Sequence, residues 1–506
     1  MADENGWVPL LNNLERRKAA ARAMGGTEKV ARHNEVRGLD ARGRIDRLLD
    51  RGSFQEIGTL VGGIPRGTQP AVPADALVTG MGQIDGRSVL VGSEDFTVSG
   101  GSIGLGTHAK RVRLAALAAQ ERVPLIMLLE GAGERVTNSM ERYPYAPNDL
   151  QVLAGLSGMV PTVTVVMGAS AGHGALTAMF SDFVIMVEDS AIFSAGPPLV
   201  AAATGEQVTK DELGGPDVHV RMSGLAHNPA ATDEEALKLV RRYLSYLPSS
   251  AWQLPPCISS GEEGERRLDK VLELIPPDPR KAYDVRNLVD MLCDSESVME
   301  IQPHFGASIV TSFARIGGRP VAIVANQPLV MMGSIDSDAA NKAAHFLEVA
   351  DAFHLPVVFL TDNPGIMAGT EAEQSGALRC AARMFSAQYR VRSPKLHVTV
   401  RKAYGFGSSL MAMNPFDHQT LTLAFPSATL GAMPAQGGGS AAHADSDTQL
   451  ALDAAELGGA WAAADTMNYD EVIDPRDLRN VLLSALRLTS GRETERIEPR
   501  PGGIRP

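Results

Sequence analysis

The groups of this chain best placed for chemistry are main-chain amides rather than side chains. The stretch Thr162-Val-Thr-Val-Val-Met-Gly-Ala-Ser-Ala-Gly-His-Gly-Ala175 is an apolar, β-branched run that stops abruptly in small residues and glycines. That is the pattern of a buried strand handing a bare backbone to the start of a helix. Gly168, Gly172 and Gly174 let a ligand come close to the main chain, and a helix beginning there aims unpaired N–H groups and a positive dipole end at whatever stands in front. Such a turn can hold a developing oxyanion. A second one, Leu396-His-Val-Thr-Val-Arg-Lys-Ala-Tyr-Gly-Phe-Gly-Ser408, again ends a β-rich run in glycines, Gly405 and Gly407. Taken singly, either also fits an ordinary strand-to-helix turn.

Side chains offer fewer routes. The sequence has no H-E-x-x-H, no Walker lysine motif and no Cys/His metal pattern, so metal mechanisms lack their usual carriers. What remains is stabilisation of an enolate or similar oxyanion by preorganised amides. His173 could act as a general base; the simpler reading is that its amide matters and its ring packs or hydrogen-bonds nearby. Glu130 and Asp362 are candidate acid/base groups, or else partners of basic neighbours. Lys110 and Lys342 read either as exposed helix charges or as contacts for a ligand phosphate, and Arg401-Lys402 carries the same two readings.

These residues need a scaffold of strands whose carboxyl ends face one way. From about Asn13 to Arg51 the chain has helical spacing, with its charges read as a solvated face, and Gly52 ends it. Short β-like runs near Ala76–Thr79 and Ser88–Val91 flank Asp85-Gly86, a hairpin signal. Then come Asp95-Phe-Thr-Val-Ser-Gly-Gly-Ser-Ile-Gly-Leu-Gly106, an Ala- and Leu-rich helix, the buried strand Pro124–Glu130, and the loop Gly131-Ala-Gly-Glu-Arg135. This is a βαβ unit.

The second half repeats that order: strand Pro320–Ala325, turn Gly333-Ser334, helix Ala339–Phe353, strand Pro356–Asp362. Gly101 and Gly333, Lys110 and Lys342, Pro124 and Pro356, Glu130 and Asp362 each lie 232 positions apart, and Gly172–Gly405 and Gly174–Gly407 lie 233 apart. One offset on matching elements argues for duplication of one fold. The expected organisation is an α/β protein with domains at 1–250 and 281–506, joined by a Pro-, Ser- and Gly-rich linker over 251–280. Ligands in such folds sit at the carboxyl ends of strands.

Bulk properties narrow the class. With 44% hydrophobic residues and 21% charged ones, the chain can bury large cores. A net charge of -12 disfavours nucleic acid and anionic membranes. Its three cysteines suit neither a disulfide framework nor a zinc ribbon. No apolar run reaches membrane-spanning length and the amino end lacks a signal-peptide core, so a cytoplasmic location is expected.

At these residues the chain resembles the carboxyltransferase (beta) subunits of biotin-dependent acyl-CoA carboxylases, the propionyl-CoA and methylcrotonyl-CoA carboxylase family. The likeness runs through Ala41–Phe54, Asp95–Ser102, Ala195-Gly-Pro-Pro-Leu-Val200, Glu212-Leu-Gly-Gly-Pro-Asp-Val-His219, Lys281-Ala-Tyr-Asp284, Asn326-Gln-Pro328, Asp362-Asn-Pro-Gly365 and Arg401–Gly405. It implies two tandem crotonase-like domains, the first for acyl-CoA and the second for carboxybiotin, with the active site where domains of two subunits meet. It implies that the amides of Gly172 and His173 polarise the thioester carbonyl and those of Phe406 and Gly407 hold the biotin ureido oxygen. Acyl-CoA contacts are implied for Gly100, Gly101, Ser102, Gly131, Ala132, Gly168, Ala171 and Gly174, and biotin-side contacts for Asp362, Pro364, Gly365, Tyr404 and Gly405. No metal is implied. The implied partners are a biotin carboxylase and biotin carboxyl carrier subunit, because the chain has no biotin-attachment Met-Lys-Met, and copies of itself, as a hexamer. A biotin-dependent decarboxylase and a non-catalytic scaffold paralogue are the alternatives.

Two positions depart from the family pattern. His173 stands where Gly-Gly is usual, and Tyr404-Gly-Phe-Gly407 replaces Tyr-Gly-Gly-Ala. An amide survives either change, but the added side chains reshape the pockets, so acyl-group identity does not carry over.

Overall fold

The computed structural model of the protein describes residues 6–65, 70–136, 149–413, 417–494, 497–500 and 503–505. The chain divides into two compact units between Leu244 and Ser245. In the first, eight strands form one sheet: β1 (Gln55–Ile57), β2 (Leu77–Ile84), β3 (Arg87–Glu94), β4 (Leu125–Gly131), β5 (Thr162–Ala171), β6 (Phe183–Val187), β7 (Ala191–Phe193) and β8 (Asn228–Ala230). Their order is β1-β2-β3-β4-β5-β6-β8, with β7 on the far end of β5. The β1–β2 and β2–β3 pairs are antiparallel and the rest are parallel. Asp85-Gly86 makes the β2–β3 hairpin, both residues at positive φ, as a tight right-twisting turn requires.

The second unit repeats the plan with β9 (Met299–Ile301), β10 (Ile309–Ile316), β11 (Arg319–Asn326), β12 (Val357–Asn363), β13 (Lys395–Tyr404), β14 (Gln419–Ala424), β15 (Thr429–Gly431) and β16 (Glu471–Val472). Its order is β9-β10-β11-β12-β13-β14-β16, with β15 on the end of β13. Even the irregularities recur. The register shifts between Leu129 and Gly131 against β5, and between Thr361 and Asn363 against β13. Isolated bridges join Ile103 to Glu134 and Ile335 to Ile366. The duplication read from the sequence is therefore a duplication of hydrogen-bond pattern.

Strands buried on both faces form the core of each unit. Leu90, Met127, Leu129, Val166, Val184 and Met186 pack with Leu114 and Ala118 of the helix Leu105–Glu121. In the second unit Ile323, Val358, Leu360 and Val398 pack with Leu288, Leu478 and Leu482. Leu268, Val271 and Ile275, from the stretch read as a linker, belong to that second core. Proline and glycine there mark turns between packed pieces, not a free tether.

The amino-terminal helical run is three helices, Trp7–Arg22, Thr27–Arg37 and Ala41–Leu48, with Gly26 and Gly38 at positive φ between them. Asp40 caps the third by accepting from the amides of Arg42 and Gly43. Its charges are not simply a solvated face. Arg44 is fully buried, with Nη1 2.5 Å from Glu130 Oε2 and Nε 2.7 Å from Asp233 Oδ2.

Neither expectation for the paired lysines holds. Lys110 and Lys342 are buried, and each amine serves main-chain carbonyls. Lys110 Nζ donates to Ala74 O and Leu77 O (2.7 and 2.6 Å), and Lys342 Nζ donates to Phe305 O and Ile309 O (3.0 and 2.7 Å). Burial pulls Lys110 down to about 8 and Lys342 to about 7. A lysine whose folded value is depressed is protonated more readily in the unfolded chain, so its net contribution to stability rises with pH across that window.

Two predictions follow from these buried charges. Replacing Arg44 by Met leaves Glu130 and Asp233 buried without their shared partner and should cost about 3–5 kcal/mol in denaturant unfolding. For Lys342→Met, the destabilisation relative to wild type should grow as pH rises from about 7 toward the ordinary lysine value of 10.5; unfolding free energies measured across that range would show a flat difference if the amine stays charged when folded.

Candidate active site

In the first unit the glycine-rich segments meet at the carboxyl ends of β3, β4 and β5. Residues Ser99–Gly101 form one turn of tight helix after β3. Ala132 N donates to Gly100 O at 3.0 Å, Ile103 N to Gly133 O at 2.7 Å, and Arg135 N to Ile103 O at 3.0 Å. The β4 end is laced to β5 through the Gly131–Ser170 pair. Gly100, Gly101, Ser102, Gly131, Ala132, Ala171 and Gly172 are thus brought into one neighbourhood. Two glycines meet the protein itself rather than an open cleft: a methyl at Gly101 would lie 2.2 Å from Glu130 O, and one at Gly131 2.5 Å from Gly101 O.

The helix Gly172–Met179 starts directly where β5 stops, with Ala171 as N-cap and no side-chain cap. Gly172 lies at φ 54°, a left-handed conformation that turns the chain between strand and helix and that glycine adopts without strain. The N–H groups of Gly172, His173 and Gly174 belong to the first helical turn, which has no acceptor within the helix. In the second unit Gly405 also lies at φ 54°, and the short helix Gly405–Leu410 follows Tyr404, again without a side-chain cap. A methyl at Gly407 would come within 2.7 Å of Gly365 Cα, so Gly365 and the Phe406–Gly407 turn are adjacent, with Pro364 half-buried between β12 and Gly365. The Phe406 ring is half-exposed and lies 5.2 Å, centroid to centroid, from Phe385.

Four candidates have other duties. Asp362 is buried, with Oδ2 2.8 Å from Arg401 Nε and Oδ1 3.1 Å from Lys402 Nζ. Its carboxylate is committed inside the protein, and so are the two cations read as phosphate contacts. Tyr404 is buried and donates its hydroxyl to Thr429 Oγ1 at 2.9 Å. Gly168 makes room for a side chain, since a methyl there would lie 2.4 Å from Glu130 Cγ. Glu130 is the partner of basic neighbours: besides Arg44, His33 Nε2 lies 3.0 Å from its Oε2. Burial opposes its charge, yet the bonds from His33 and Arg44 hold its carboxyl below the usual range.

A charged cluster beside Gly172 was not foreseen. His173 Nε2 lies 2.5 Å from Asp149 Oδ1, and Arg111 Nε lies 2.6 Å from Asp149 Oδ2. Arg111 also reaches Glu94 Oε1 at 3.2 Å and donates to Thr177 Oγ1. His108 Nδ1 stands 3.7 Å from Asp149 Oδ1. Burial disfavours the Asp149 anion, but the hydrogen bond from His173 and the charge of Arg111 outweigh it and hold the acid well below its ordinary value. Burial pushes Glu94 up to about 6. Ligand-type atoms of His108, Asp149 and His173 come within 4.8 Å of one another, but the Arg111 guanidinium already fills the second Asp149 oxygen and repels a cation there. The one sequence signal was His173 itself, a ring placed between glycines.

A cavity of about 500 Å³ lies at these strand ends, with Lys29, Arg32, Arg37, Phe96, Gly100 and Ala169 in its lining. A larger hollow of about 690 Å³ on the second unit, lined by Asp351, Arg390 and Arg392, lies by the segments that enter β12 and β13, at the opposite strand ends. The first is the candidate site because its lining includes Gly100 and Ala169, at the carboxyl ends of β3 and β5.

Comparisons with known proteins agree with this geometry. The family model described as "Carboxyl transferase domain" matches residues 37–503. The chain is 32% identical to the propionyl-CoA carboxylase carboxyltransferase subunit of Haloferax mediterranei, over 98% of both chains. It is 33% identical to the methylmalonyl-CoA carboxyltransferase 12S subunit of Propionibacterium freudenreichii subsp. shermanii over 99% of both, and 31% identical to the methylmalonyl-CoA decarboxylase subunit alpha of Veillonella parvula over 97% of this chain and 98% of that one. Among solved structures, the transcarboxylase 12S hexamer with methylmalonyl-coenzyme A and methylmalonic acid bound superposes with a TM-score of 0.90 at 31% identity, covering 98% of this chain and 99% of that one. Each unit is therefore the crotonase-type α/β domain expected from the sequence. With a family model spanning nearly its whole length and full-length relatives above 30% identity, the chain belongs to the carboxyl transferase family.

Proposed function

We propose that the chain is the carboxyltransferase component of a biotin-dependent acyl-CoA carboxylase, moving a carboxyl group from carboxybiotin to the α- or vinylogous γ-carbon of an acyl-CoA. The observation that carries this reading is the repeated uncapped turn: Gly172 and Gly405 share one left-handed φ, each opening a helix at the carboxyl end of the equivalent strand. Two such turns suit two reactants whose oxygens both become negative.

In the first unit the N–H groups of Gly172 and His173 hold the thioester oxygen as the enolate forms. The cavity at these strand ends takes the coenzyme, whose phosphates meet Lys29, Arg32 and Arg37 in its lining. Gly100, Ser102, Ala132 and Ala171 line the approach to the reacting carbon. In the second unit the amides of Phe406 and Gly407, beside Pro364 and Gly365, hold the ureido oxygen. These donors are neutral, which fits a urea that gains charge only as reaction proceeds. Carboxybiotin, carried on a separate subunit, supplies the carboxyl group and, once that is released, a base for the α-proton. Asp362 and Tyr404 act on this side only by fixing the strand end.

Assembly as a hexamer and partnership with a biotinylated subunit follow from the same reading; the 12S relative is itself a hexamer by its description. A decarboxylase running the same exchange in reverse is the second reading, favoured by the full-length likeness to the Veillonella parvula subunit. Among the described residues no helix is long and apolar enough to cross a membrane, and we place the enzyme in the cytoplasm.

Carboxyl transfer assayed with a biotinylated partner across a panel of acyl-CoA thioesters, and decarboxylation of the corresponding malonyl-type thioesters, should detect one direction; activity with none would favour the scaffold. Gly172→Ala and Gly405→Ala, which force an alanine into the left-handed region, should each lower kcat by about 10²-fold or more. Replacing Lys29 and Arg32 by Ala should raise KM for acyl-CoA several-fold while sparing kcat, because those charges bind the ground state and the transition state alike.

A further inference from the structure

The acyl-CoA turn differs from its repeat in a way that the fold does not require. Lys110 has its counterpart in Lys342, and both bind the equivalent carbonyls. Around them, however, His108 and Arg111 correspond at the same 232-residue offset to Ala340 and Ala343, both fully buried. Glu94 corresponds to Asn326 and His173 to Phe406. The second unit builds the same strands, helix and turn without the charged cluster, so the cluster serves something other than folding.

Its geometry is that of an oriented base. Asp149 is buried, ionised and pinned by Arg111 through its second oxygen. A carboxylate can only accept, so the 2.5 Å contact fixes the proton of neutral His173 on Nε2. That leaves the lone pair on Nδ1, which has no protein partner among the described residues. Nδ1 is the ring nitrogen nearer the main chain, and hence nearer the amides assigned to the thioester oxygen. The α-carbon of a thioester is two bonds from its carbonyl oxygen, so an oxygen held by the His173 amide would bring the α-proton into the vicinity of that residue's ring.

We propose that His173, positioned by Asp149, is a side-chain base for the α-proton of acyl-CoA when no carboxybiotin partner is bound, giving the chain a partner-independent activity: exchange of that proton with solvent. This rests on the reading of the first unit as the acyl-CoA domain. In the forward step the α C–H bond breaks and an N–H bond forms at Nδ1. The electron pair moves into the carbon–carbon bond of the enolate, and the thioester oxygen takes the negative charge opposite the Gly172 and His173 amides. His173 becomes imidazolium, with its second proton remaining on Nε2 and donated in a hydrogen bond to Asp149. The Nδ1 proton then exchanges with solvent, and return of a solvent deuteron to carbon restores the thioester. No oxidant or further reactant is needed.

The test is deuterium incorporation into propionyl-CoA and longer acyl-CoA thioesters, followed by mass spectrometry in heavy water, with the full-length chain and no biotinylated partner. Wild type should exchange; Asp149, Arg111 and His108 from the packed helices and Glu94 from β3 are the ionisable groups that face the ring. His173→Gln should lower the rate by at least 10²-fold, and added imidazole should restore part of it in His173→Gly. Asp149→Asn, which leaves the ring without its carboxylate partner, should lower the rate and change its pH profile; loss of structure alone would change neither the pH profile nor imidazole rescue. Exchange by His173→Gln at the wild-type rate overturns the proposal. So does biotin-dependent carboxyl transfer by a wild-type chain that shows no exchange, whereas the absence of both activities overturns the functional reading beneath it.

Discussion

The structure depends on a buried carboxylate at the end of one strand in each unit. Glu130 ends β4 and Asp362 ends β12, each surrounded by protein, and an unpaired charge there would cost several kcal/mol. Each is neutralised by a buried arginine that draws in another part of the chain. Arg44 brings the third amino-terminal helix and Asp233 to Glu130. Arg401 spans from Asp362 to the carbonyls of Pro276, Asp278 and Lys281. The strand ends that carry the glycine turns are therefore clamped by ion pairs, and the amides of those turns inherit their orientation. The β4 and β12 ends are fixed from the other side as well: Glu130 N donates to Glu94 Oε2 and Asp362 N to Asn326 Oδ1.

Much of this was legible in the sequence because duplication preserves spacing. Matching glycines, lysines, prolines and acids at one offset mark matching elements, and the sheet orders agree to the strand. Hydrophobic periodicity located β4, β5, β12 and β13 because strands buried on both faces are continuous apolar runs. The family likeness in the glycine turns then pointed to oxyanion chemistry.

What the sequence concealed was long-range pairing. Arg44 looks like one charge among many on a helical run, and only a partner 86 residues away makes it interior. Lys110 and Lys342 look like surface charges, because nothing local announces that carbonyls of preceding strands will receive them. Pro276 and Asp278 read as linker because turn residues say nothing of the Arg401 guanidinium that holds them. Asp149 was invisible for the same reason: its meaning comes from His173 and Arg111, at separations of 24 and 38 residues. Turn chemistry is local and survives in the sequence, whereas charge compensation is not local and does not.

The interlock of Gly101 and Gly131 limits how this enzyme can diversify. Each presses against the other's main chain with no room for a single added carbon, so the floor of the proposed acyl-CoA site cannot be remodelled by ordinary mutation. Selection for a new acyl chain at the proposed site must work on what surrounds these glycines, where Ser102 already carries a side chain. Paralogues with different acyl preferences should share one invariant base and differ in what overhangs it.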